Sequence, residues 1–199
     1  MLPSGAPLAT PGQIVGLFGG SFNPPHAGHR SISIEAIKRL QLDWLWWLVA
    51  PQNPLKRADE TAALEMRLAR ARAVARHPRI TVTGFEATLG TRYTADTMAI
   101  MVRRWPEVRF VWVMGADSFA DLHRWRHWRR LAGLVPLAVF DRPGFTLKAM
   151  SCPAAIALAG ARIDASDAAG LARLDPPAWC FIEVPRRFES STALRNGSS

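Results

Sequence analysis

Disulfide frameworks, membrane spans and acidic surfaces all have little to draw on in this sequence. Its 199 residues include two cysteines. Cys152 and Cys180 form no CxxC pair and sit in apolar surroundings, so both are expected as buried free thiols in a reducing compartment. Long apolar runs are missing: the longest, Trp44 to Ala50, suits a buried strand and falls far short of a bilayer span. The N-terminus has no charged segment leading into an apolar one, so secretion is not expected and the cytoplasm is. Acidic side chains are also scarce, with 16 Asp and Glu against 25 Lys and Arg, a formal charge of +9. That excess suits a polyanionic partner, either nucleic acid or small phosphorylated molecules. Arg67, Arg70, Arg72 and Arg76 are spread along an amphipathic pattern and read as a solvated helix face.

What is present is a chain long enough for one domain with a proper core. Nearly half of it is hydrophobic (49%), and strand-like runs alternate with helix-like ones, which predicts a Rossmann-like, doubly wound α/β fold with a mainly parallel sheet. Residues 1–12, rich in Pro, Gly and Ala, read as a flexible leader and residues 13–199 as the domain. Strands are expected at 13–18, 44–50, 80–83, 109–114 and 135–140, with others near Ile156–Leu158 and Trp179–Val184. Helices are expected at about 28–40, 61–76, 94–104 and 125–132. Pro51 and Pro54 end the second strand and put Gln52, Asn53 and Lys56 in a loop. Open sheets of this kind bind ligands beyond the carboxyl ends of strands where the strand order reverses. Gly19 to Ser21 after the first strand and Gly115 to Asp117 after the fourth would flank that crevice.

The most informative stretch is Gly16-Leu-Phe-Gly-Gly-Ser-Phe-Asn-Pro-Pro-His-Ala-Gly-His29. A strand passing through glycines into a helix start brings backbone N–H groups and the positive end of a helix dipole to an anion. His26 and His29 add two imidazoles at that helix start, able to donate to phosphate oxygens near neutral pH. A helical HxxH pair could also ligate a metal, but no third ligand of the right type lies nearby, so no metal site is assigned.

Gly19-Gly-Ser-Phe-Asn-Pro-Pro-His-Ala-Gly-His29 resembles the GxFxPxHxGH element of the nucleotidylyltransferase superfamily. Ser190-Ser-Thr-Ala-Leu-Arg195 resembles its second element, SSTxxR. The segments between look most like the bacterial nicotinate-nucleotide adenylyltransferases, over about residues 13 to 196. The resemblance implies transfer of the adenylyl group of ATP to nicotinate mononucleotide, with Mg²⁺ accompanying the ATP and no nucleic acid or membrane partner; a homo-oligomer is left open. It implies catalytic roles for His26, His29 and Arg195, with His29 nearest the transferring phosphorus. Gly19, Gly20, Ser21 and Phe22 would supply amides around ATP, and Ser190, Ser191, Thr192 and Lys56 would hold its phosphates. On the acceptor side it implies Thr94 at the mononucleotide, Asp117 at ribose hydroxyls, Trp125 stacked on the pyridine ring and Arg142 at the acceptor phosphate; Trp128 reads as core. Asn23 stands where the family often has aspartate and keeps a turn or capping role. The alternatives are another adenylyl- or cytidylyltransferase of the superfamily, such as a pantetheine-phosphate adenylyltransferase, or a basic nucleic-acid module built on His123–Arg130.

Overall fold

Apolar runs that alternate between two cores build the centre of the molecule. A computed structural model describes residues 6–51 and 62–184. Within them β1 (Ile14–Gly20), β2 (Trp44–Val49), β3 (Ile80–Thr83), β4 (Arg109–Gly115), β5 (Leu137–Phe140), β6 (Arg162–Ile163) and β7 (Trp179–Ile182) form one sheet. The order is β3-β2-β1-β4-β5-β7-β6, and every pairing is parallel. Parallel sheets are covered on both faces, so both side-chain sets of each strand must be apolar. On one face lie Val15, Leu17, Trp46, Leu48, Phe110, Trp112, Met114, Leu137 and Trp179; on the other lie Phe18, Leu45, Trp47, Val111, Val113, Phe140 and Cys180.

The helices supply the two covers. α1 (Ala27–Arg39) and α2 (Leu64–Val74) bury Ile32, Ala36, Ile37, Leu68 and Ala71 on the second face. On the first lie α3 (Thr94–Arg104), α4 (Ala116–Ala120), α5 (Trp128–Ala132), α6 (Thr146–Met150) and α7 (Pro153–Ala157). This is the doubly wound α/β architecture expected. Among the described residues no helix is long and apolar enough to cross a membrane.

Some element boundaries differ from expectation. Ile156 and Leu158 do not form a strand: Pro153 opens α7, and the Cys152 Sγ accepts from the Ala155 N–H at 3.4 Å. Proline at a first helical position followed by alanines favours helix, and β6 takes the sheet edge instead. The helix expected over 125–132 begins only at Trp128. Residues 122–124 form a 3₁₀ turn, and His127 has φ 59°, a left-handed conformation through which an α-helix cannot run. The expected leader is described from residue 6. Ala6 and Ala9 pack on the core, and the Gly12 N–H donates to the Glu107 carbonyl at 2.8 Å. Both thiols are buried and free, and burial pushes Cys180 up to about 12.

Candidate active site

The chain order makes β1 the point of reversal, with β2 on one side and β4 on the other, and the carboxyl ends of these strands are where open sheets of this kind bind ligands. Gly19 owes its identity to packing there: a Cβ on it would collide with the Trp112 indole of β4. Gly20 has room for a methyl, its nearest neighbour being Phe22 at 3.5 Å. Phe22 follows with φ 46°, buried and stacked on Trp47 with centroids 4.6 Å apart and planes at 9°. A bulky residue at positive φ is held only where its surroundings over-determine it. The Trp47 face beneath that ring does so.

His26 is the N-cap of α1 and His29 lies in its first turn. The rings face each other with centroids 3.8 Å apart. The His26 N–H donates to Nδ1 of His29 at 3.2 Å, as an N3 glutamate would receive it in a capping box. With Nδ1 accepting, a neutral His29 carries its proton on Nε2, which is then a donor. His29 is packed by Phe22, Phe18 and Trp47 at centroid distances of 5.0, 5.8 and 5.9 Å. That burial, reinforced by the charges of His26 and Arg142, holds its pKa well below the ordinary 6.5. His29 is therefore a neutral imidazole at pH 7. Below about pH 6.5 the unfolded chain binds a proton that folded His29 refuses, so stability is fully present above that pH and falls as the solution is acidified. Urea midpoints at pH 7.5 and 5.5 should drop less in His29→Gln than in the native protein.

One charged side chain reaches the pair from a nearby strand and holds a second. Arg142, just beyond β5, lies with Nη2 3.4 Å from Nε2 of His26 and donates through Nη1 to Asp117 Oδ2 in the first turn of α4. Asp117 Oδ1 is buried without a hydrogen-bond partner among the described residues. A Cβ on Gly115 would meet that oxygen at 2.5 Å, so this glycine lets the carboxylate fold back over the strand end. His29, His26, Arg142 and Asp117 thus form one contiguous set drawn from the ends of β1, β5 and β4.

Of the residues expected on the acceptor side, Asp117 and Arg142 belong to this set, and Trp125 and Thr94 are placed by other contacts. Half-buried Trp125 sits edge-on to Trp112 at 6.4 Å, one ring away from Gly19. Thr94 opens α3 directly after Tyr93, and the Arg126 guanidinium lies over the Tyr93 ring at 5.4 Å. An Arg130–Asp96 ion pair at 3.0 Å ties α5 to α3. Trp128 is buried as expected. Lys56, Ser190, Ser191, Thr192 and Arg195 lie outside the described residues, as do Gln52 and Asn53. Sequence reading missed the Trp47 floor, the Trp112 wall and Arg67, which is not solvated but only 1% exposed. Arg67 does fall in the apolar stripe of Leu64, Leu68, Ala71 and Ala75, the i+3 position of that pattern, and this was the available signal.

A family profile described as cytidylyltransferase-like matches residues 17–197. The chain belongs to the cytidylyltransferase-like family. Among curated members, a "Probable nicotinate-nucleotide adenylyltransferase" of Ruegeria pomeroyi is 54% identical over 191 residues, covering 96% of this chain and 89% of that one. A protein of the same name from Methylorubrum extorquens is 56% identical over 181 residues, covering 91% and 98%. Among solved structures, the Plasmodium falciparum nicotinic acid mononucleotide adenylyltransferase complexed with NaAD superposes with a TM-score of 0.68 at 16% identity, covering 92% of this chain and 83% of that one. At that identity the likeness is one of fold.

Proposed function

We propose that this member of the cytidylyltransferase-like family transfers the adenylyl group of ATP to nicotinate mononucleotide, giving nicotinate adenine dinucleotide and pyrophosphate for NAD synthesis in the cytoplasm. The observation that carries the reading is the His29–His26–Arg142–Asp117 set at the strand-order reversal in a chain more than half identical to relatives of that name. The acceptor's 5′-phosphate is already an anion, so no general base is needed. One of its oxygens attacks the α-phosphorus in line, the bond from that phosphorus to the α–β bridging oxygen breaks, and pyrophosphate departs with the electron pair. Mg²⁺ enters as part of the MgATP substrate.

The His29 Nε2–H donates to a non-bridging α-phosphate oxygen as negative charge builds there, and the Arg142 guanidinium adds a positive field beside it. Asp117 accepts from ribose hydroxyls through Oδ1. Trp125 stacks on the pyridine ring, and Thr94 meets the mononucleotide. Pyrophosphate release measured with ATP plus nicotinate mononucleotide, nicotinamide mononucleotide or phosphopantetheine tests the reading; no release with the first would end it. Trp125→Ala should raise KM for the acceptor about tenfold, the scale of one lost ring stack, while KM for ATP stays within about twofold. Equal rises in both would argue against stacking.

A further inference from the structure

Arg67 is a cation closed off from water, and its hydrogen bonds run to backbone carbonyls. Nε donates to Ala62 O at 2.8 Å, Nη1 to Ser21 O at 2.8 Å and Ala50 O at 2.7 Å, and Nη2 to Pro51 O at 2.8 Å. A guanidinium in the interior is costly unless its donors are well satisfied, and the neighbouring stripe positions Leu68 and Ala71 are filled by apolar side chains. An apolar residue would therefore serve α2 packing at position 67 without that cost. What it would lack is a grip on Ser21, the residue between the β1 glycines and Phe22.

In a trans peptide the C=O and the following N–H point in opposite directions. With the Ser21 oxygen held by Arg67, the Phe22 N–H is aimed away from the guanidinium. Drawing electron density through that carbonyl also makes the N–H of the same peptide a stronger donor. Phe22, at φ 46° and stacked on Trp47, is thereby clamped on both sides of one peptide group.

We infer that Arg67 is a positioning residue for ATP, fixing the Ser21–Phe22 peptide so that the Phe22 N–H is presented to the nucleotide's phosphates. This rests on the proposed binding of ATP at the β1 end. Lysine can reach some of these carbonyls but cannot span all four with a planar fork, and glutamine brings no charge. In steady-state assays Arg67→Lys should raise KM for ATP about tenfold and Arg67→Gln further, with KM for nicotinate mononucleotide within about twofold. A lower thermal midpoint with unchanged kinetics, or equal rises in both KM values, would overturn the inference.

A measurement on the native protein keeps the test open should the variants not fold. On adding α,β-methylene-ATP, the Phe22 amide should move strongly in ¹H–¹⁵N spectra; adding nicotinate mononucleotide alone should leave it nearly in place. An amide indifferent to the ATP analogue would also overturn the inference. If native protein binds the analogue yet releases no pyrophosphate with nicotinate mononucleotide, the proposed acceptor fails, and Arg67's effect on analogue affinity still reads out separately.

Discussion

Replacing His29 with alanine should lower kcat at least ~10²-fold, the scale of losing one pre-aimed donor to a developing charge, while the folded state is kept. The donor is aimed because its ring is fixed on several sides. Its Nδ1 is held by the His26 N–H, its face meets the His26 ring, and Phe22, Phe18 and Trp47 close around it. Alanine is a good helix former in the first turn of α1, so circular dichroism and the thermal transition should remain native-like. On the proposed mechanism KM for ATP should rise far less than kcat falls, because a His29 bond to the α-phosphate would strengthen as the transition state is approached. His29→Gln keeps an N–H donor but not its placement and should fall between the two. A kcat within about threefold of native for His29→Ala would mean that the reacting phosphorus sits elsewhere.

The second large effect concerns stability. Trp47→Ala should cost about 3–5 kcal/mol, the range for deleting a large buried aromatic, from a total of roughly 5–15 kcal/mol typical of folded domains. Trp47 is fully buried and touches three parts of the site. It carries Phe22 on its face, meets His29 and Phe18 at their edges, and donates from Nε1 to Ser33 Oγ at 2.8 Å. Ser33 in turn donates to the His29 carbonyl at 2.8 Å, so one indole ties β2, α1 and the Phe22 turn together. For a chain of this length the thermal midpoint should fall by about 10 °C. Trp47→Phe keeps a ring for the stack but loses the bond to Ser33 and some volume, so its cost should be nearer ~1–3 kcal/mol. Calorimetry or urea titration separates the two; an alanine variant losing under ~1 kcal/mol would mean that Trp47 is no floor to the site.

Much of this architecture was legible because sheet strands covered on both faces leave continuous apolar runs, and Trp44–Val49 and Arg109–Gly115 are such runs. The histidine pair was legible because its residue types and spacing carry chemistry by themselves. The Arg142 contact with His26 was not, since it spans 116 positions and depends on which strands become neighbours. The apolar stripe marks Arg67 for burial, but its partners were hidden for a related reason: they are main-chain oxygens, which every residue possesses and no sequence pattern marks. The protonation of His29 likewise follows from its walls, Phe18, Phe22 and Trp47, rather than from its own identity. The false strand at Ile156–Leu158 came from an apolar, alanine-rich segment whose pattern fits helix and strand alike, until Pro153 and the Cys152 cap decide it.

Trp112 occupies the space that a methyl group on residue 19 would need, and Trp125 leans on the same indole. A smaller side chain at 112 would relieve the first restriction and withdraw the second support at one stroke. Across lineages that descend from this chain, residues 19, 112 and 125 should therefore drift as a linked trio, inherited intact or exchanged together.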